Sequence, residues 1–153
     1  DVDRTPTYPS PTYLDGTRAP AWIEVGASSS RVDERLAASF SNFGSRRVDV
    51  FAPGVDITST ALGGGTERRS GTSQAAPVVA GVAALLWSRY PELHATDVAR
   101  ILRESAVRLP DLMVLRPGGA RGEQVRFGDL SRSGGVVNAL AAVRAVERAR
   151  LAR

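Results

Sequence analysis

The sequence predicts a mixed α/β unit, and three observations carry that expectation. Two short apolar runs read as buried strands: Trp22 to Ala27, closing on Gly26-Ala27, and Arg47 to Ala52, stopped by Pro53-Gly54. From Gln74 to Trp87 the chain is apolar on every face for more than three turns, the pattern of a helix wrapped by protein on all sides. The final stretch, Val136 to about Arg150, is amphipathic, with Val136, Val137, Leu140, Val143 and Val146 on one face. A length of 153 residues suits one domain.

In chain order, the first twenty residues are an irregular loop, punctuated by Thr5-Pro6, Tyr8-Pro9-Ser10-Pro11, Asp15-Gly16 and Ala19-Pro20. The strand 22–27 follows, then a polar, turn-rich stretch from Ser28 to Ser45, then the strand 47–52. Val55 to Thr60 and Gly65 to Ser70 can pair as a hairpin across Gly63-Gly64-Gly65. In the apolar helix, Pro77 is tolerable because it falls in the first turn, where its missing N–H has no acceptor in any case. A second helix is expected from Ala95 to about Val107, with Thr96 as its cap. Residues 110–135 read as loop with one strand, Gln124 to Phe127, before the last helix. No internal repeat or second domain is visible.

Composition removes several chemistries. Hydrophobic residues make up 42% and charged residues 24%, the balance of a globular protein rather than a disordered tail. There is no cysteine, hence no disulfide frame, thiolate nucleophile or cysteine-zinc cluster. Every basic residue is arginine, so Schiff-base lysines, a serine–lysine dyad and a phosphate-binding P-loop are excluded. A single histidine argues against a histidine metal site. The net charge of +4 is spread thinly; Arg46-Arg47 and Arg68-Arg69 are the only adjacent pairs and neither has an aromatic neighbour, so nucleic acid is not an expected partner. The longest apolar run, Ala75 to Trp87, is too short for a membrane span.

The chemistry concentrates at Gly71-Thr72-Ser73, at the entrance to the apolar helix. Unpaired amides and the positive end of the helix dipole face outward there, which suits a nucleophile whose attack creates an oxyanion. A serine before a helix is also an ordinary N-cap, and three residues do not separate the two readings. The wider pattern does. Gly71-Thr72-Ser73-Gln74-Ala75-Ala76-Pro77-Val78-Val79-Ala80-Gly81 resembles the nucleophile motif of the subtilisin-like serine peptidases, the S8 family. Val48-Asp49-Val50-Phe51-Ala52-Pro53-Gly54 is similar to that family's preceding strand and turn. Val25-Gly26-Ala27 with Ala38-Ser39-Phe40-Ser41-Asn42-Phe43-Gly44, and Gly134-Gly135-Val136-Val137-Asn138-Ala139, resemble two further segments in the right order.

The resemblance implies the C-terminal half of a subtilisin-like three-layer α/β fold: a parallel sheet, a buried helix bearing the nucleophile and a C-terminal helix, all in residues 1–153. It implies a serine endopeptidase acting on peptides through an acyl-enzyme on Ser73. Gly71 would permit close approach of substrate, Thr72 would pack behind the nucleophile, and Gln74 would flank the oxyanion site where relatives often carry methionine. Thr7-Tyr8-Pro9 resembles the wall of the primary specificity pocket. The triad order of aspartate, histidine, serine places both partners upstream of Ser73. No histidine precedes Ser73, and His94 follows it at a helix start, so the aspartate, the histidine and the oxyanion asparagine are expected from an N-terminal half that pairs with this chain. The resemblance also implies an extracellular or periplasmic location. Calcium is possible in the complete domain, but Asp1, Asp3 and Asp33 form no recognisable loop, so no metal is assigned. Two other readings stand beside this one: a subtilase-like domain that binds without catalysing, and a small α/β domain with a fortuitous serine cap.

Overall fold

The computed structural model describes residues 1–5 and 7–151. Its centre is a parallel pair, β1 (Val25–Ser28) and β2 (Val50–Pro53), in the register Val25↔Val50 to Ser28↔Pro53. Among the described residues, the sheet is completed by β5 (Val107–Arg108) and β8 (Gly135–Val136), in the order β1-β2-β8-β5, with β8 parallel to β2 and β5 antiparallel to β8. The predicted hairpin is present as β3 (Ile57–Thr60) and β4 (Thr66–Arg69), with Gly63, Gly64 and Gly65 all at positive φ in its turn.

The two-residue period of β2 divides the core. Val50 and Ala52 face one side of the sheet, where they pack with Ala75, Val79, Leu86, Val98 and Leu102. Phe51 faces the other, among Val2, Leu36, Phe43, Val114 and Phe127, with its ring 4.9 Å from that of Phe127. Three helices cover the first side: α1 (Thr72–Arg89), α2 (Ala95–Glu104) and α3 (Ala139–Leu151). Leu36 and Phe43 from the chain between β1 and β2, and a small hairpin of β6 (Met113–Leu115) and β7 (Gln124–Arg126), cover the second. The chain is thus α/β with a parallel sheet and a C-terminal helix, the layout that the resemblance implies.

Several expectations need correction. The strands begin and end later than their apolar runs, because pairing, not hydropathy, sets their limits. Helix α1 is longer than 74–87, so Pro77 is its sixth residue and lies inside it, removing the bond that the Ser73 carbonyl would otherwise accept. Nor is α1 wrapped on all sides: Ala75, Val79, Val82 and Leu86 are buried, while Ala76, Ala80, Ala84, Leu85 and Trp87 are exposed. Helix α2 is capped by the backbone of His94 instead of Thr96 and stops at Glu104, ahead of Val107, which enters β5. Helix α3 starts at Ala139, because Val136 belongs to β8 and Asn138 Oδ1 accepts the Ala141 amide at 2.9 Å. Its buried residues are Ala142 and Val146, while Leu140 is exposed. In the stretch 110–135 the expected strand is present as β7, and β6 and a 3-10 turn, Phe127–Leu130, stand where only loop was expected.

Candidate active site

Two close backbone approaches fix the turn that carries Ser73. Gly54, just after β2, donates its N–H to the Ser28 carbonyl at the end of β1 (2.9 Å) and accepts the Gly71 N–H (2.8 Å). A Cβ on Gly54 would lie 2.7 Å from the Gly71 oxygen and 2.8 Å from Ala27 Cβ, so only glycine lets strand end and helix start meet. Gly26 has a different role, making room in β1 for Phe51 on the opposite face of the sheet, where a Cβ would stand 2.7 Å from the ring.

Gly71 is the N-cap of α1, and its carbonyl accepts the amides of Gln74 (3.1 Å) and Ala75 (3.2 Å). The amides of Thr72 and Ser73 find no acceptor among the described residues. Ser73 is exposed, Thr72 and Gln74 half-buried. The Gln74 side chain folds back so that its Oε1 would lie 2.6 Å from a Cβ on Gly71. The arrangement is an accessible hydroxyl beside two outward-facing N–H groups at the positive end of an 18-residue helix. The hairpin β3–β4 leads into this turn, and its base is closed by the Asp56 amide donating to Ser70 Oγ at 2.9 Å.

The other predicted residues lie elsewhere. Thr7, Tyr8 and Pro9 line a cavity of about 220 Å³ with Trp22, Glu24 and Asn42. The Tyr8–Pro9 bond is cis and Tyr8 is exposed. Gly71 to Gln74 do not line that cavity. His94 sits exposed beyond the far end of α1, whose last residue is about 24 Å of helix from Ser73. The three candidate calcium ligands do not converge. Asp3 accepts the amides of Arg46 and Arg47, Asp1 pairs with Arg4, and Asp33 accepts the Arg35 amide. These residues do not fit a calcium ion, and no group of three metal-ligating side chains exists among the described residues.

Sequence reasoning missed Asp49. It lies between Val48 and Val50 and is 1% exposed. Its carboxylate accepts the Glu24 amide at 2.9 Å and pairs with Arg103 at 3.6 Å and Arg132 at 3.4 Å. Burial pushes its pKa above the ordinary aspartate value; the Glu24 amide and the arginines Arg103 and Arg132 pull the other way. A lone aspartate inside an apolar strand was the available signal, since a buried carboxylate needs partners. It ties β2 to the end of α2 and is closed to substrate.

The chain is 58% identical over 82 residues to Proteinase R of Parengyodontium album, covering 54% of this chain and 20% of that protein. It is 38% identical over 116 residues to Subtilisin-like protease 1 of Trichophyton rubrum, covering 69% of this chain and 21% of that protein. The chain therefore spans about a fifth of the length of these relatives. The crystal structure of the A-subunit of the AB5 toxin from E. coli superposes with a TM-score of 0.61 at 30% identity, over 80% of this chain and 37% of that one. The model of the subtilase family, peptidase S8, matches residues 4–128, and the chain belongs to that family.

Proposed function

We propose that this chain is the nucleophile-bearing portion of a serine endopeptidase, with Ser73 as the attacking residue. The observation that supports it most is the Ser73 turn: an exposed hydroxyl beside free amides, held by the Gly54–Gly71 contact. In the complete enzyme, Ser73 Oγ attacks the peptide carbonyl while its proton passes to a histidine contributed by the N-terminal half, oriented by an aspartate from that half. The Ser73 N–H and an asparagine from the same half hold the oxyanion; each such donor lowers the barrier by about 3–4 kcal/mol. The histidine then protonates the leaving amine, and water, deprotonated by the same histidine, releases the acyl group from Ser73. Gly71 leaves room for substrate, Thr72 supports the Ser73 side chain, Gln74 flanks the oxyanion, and Thr7, Tyr8 and Pro9 wall the primary pocket. The family resemblance supports a location outside the cytoplasm. No helix among the described residues is long and apolar enough to cross a membrane.

The test uses the full-length protein that contains this chain and its Ser73→Ala variant on a chromogenic peptide. The substitution should lower kcat by about 10⁶-fold, the scale established for the nucleophile of subtilisin itself, with an unchanged melting curve. The 153-residue chain alone should show no turnover, since it holds no base near Ser73.

A further inference from the structure

We infer that a groove beside the Ser73 turn selects peptides carrying an apolar side chain next to a carboxylate, with Arg31 and Arg35 binding the carboxylate. This rests on the proteolytic reading above and narrows its substrate class. The groove has a volume of about 350 Å³. Its apolar lining is Ala37, Ala38, Phe40, Val55 and Leu115, and the two cations that line it are Arg31 and Arg35, both exposed.

Position links the groove to Ser73. It opens at the carboxyl ends of β1 and β2, since Ser29 follows β1 directly and Val55 lies two residues past β2. Val55 adjoins Gly54, whose carbonyl accepts the Gly71 amide at 2.8 Å. The path from Ser73 through Gly71 and Gly54 to Val55 is at most about 17 Å, so an extended peptide attacked at Ser73 reaches the groove within about five residues.

Charge identifies the occupant. Neither Arg31 nor Arg35 pairs with a carboxylate among the described residues. The acids of the same loop are engaged: Asp33 Oδ1 accepts the Arg35 amide at 2.8 Å, and Glu34 Oε2 accepts Gln124 Nε2 at 3.1 Å. A single hydroxyl holds both arginine backbones, because Ser29 Oγ donates to the Arg35 carbonyl at 2.8 Å and accepts the Arg31 amide at 3.1 Å. Two unpaired guanidinium groups beside an apolar lining match an aliphatic or aromatic side chain followed by an acidic one.

The experiment profiles cleavage of a mixed peptide library by the full-length enzyme, reading cut sites by mass spectrometry. Wild type should enrich an acidic residue about tenfold at one position within five of the cut, a preference that weakens with added salt. Arg31→Ala/Arg35→Ala should lose it, and Arg31→Glu/Arg35→Glu should shift it toward basic residues. An unchanged profile in the variants overturns the inference while leaving proteolysis intact. No cleavage by wild type overturns the proteolytic reading instead. The groove is then judged by fluorescence anisotropy: a labelled peptide with a Leu-Asp pair should bind more tightly than its Leu-Asn counterpart, and equal binding overturns the inference.

Discussion

Gly54 and Gly71 differ in what a methyl group would meet. At Gly54 the obstacles are the Gly71 carbonyl and Ala27 Cβ, neither of which can swing away. Gly54→Ala should cost about 1–3 kcal/mol of stability, the usual toll of overpacking, and should lower kcat by displacing Ser73. At Gly71 the nearest atom is the Gln74 amide oxygen, the end of a flexible side chain. Gly71→Ala should therefore be milder, and Gln74→Ala should restore some of the loss. Urea melts and peptide hydrolysis on the four proteins check both statements; equal damage at the two glycines would contradict them. The same fold-back brings the end of the residue 74 side chain over the Ser73 turn. Glutamine does not oxidise, whereas a methionine there would set a thioether beside the reacting centre. Gln74→Met should make the enzyme lose activity to a peroxide dose that wild type tolerates, with the oxidised sulfur mapped to position 74. Equal rates of loss in the two enzymes would place residue 74 away from the centre.

At the scale of elements, Asp49 gives the sheet a pH dependence. Its folded pKa is raised above the ordinary 3.8, chiefly by burial, so the folded protein binds the proton more tightly than the unfolded chain. The resulting stabilisation is fully present below the ordinary value and fades as pH rises through the folded one. Asp49→Asn keeps an acceptor for the Glu24 amide but does not titrate. The stability of wild type relative to this variant should fall as pH rises from about 3.5 to 7 in urea titrations; a difference that grew with pH would contradict the assignment. Legibility in the sequence follows the size of the elements. Helix α1 and the β3–β4 hairpin are readable, because a long apolar stretch and a triple glycine are local signals. Strands β5, β6 and β8 are not, since two or three residues hold no alternation and exist only through their partners. The start of α3 is easily misread because Val136 serves the sheet, so its apolar side chain mimics one more turn of helix. Ser73 is legible through its motif. Asp49 and the arginine-rimmed groove are not, because both depend on residues far apart in sequence.

Across the whole molecule, the feature least matched by its own neighbours is the outer side of α1. Ala76, Ala80 and Trp87 are exposed there, on a cavity of about 210 Å³ that Ile23 and Val25 also line. An apolar helix face left open in water favours association. The 153-residue chain by itself should sediment as a concentration-dependent oligomer, and adding the N-terminal half should convert it to a defined complex. A dilute 16.2 kDa monomer with a cooperative melt would contradict this. The central claim is that Ser73 is the nucleophile, and trapping its covalent adduct tests that most directly. The full-length enzyme is treated with a serine-directed phosphonate, digested, and the modified residue located by mass spectrometry. One adduct is predicted, on Ser73, formed in step with the loss of peptide hydrolysis; an adduct on another residue, or hydrolysis that persists with Ser73 fully modified, would contradict the claim.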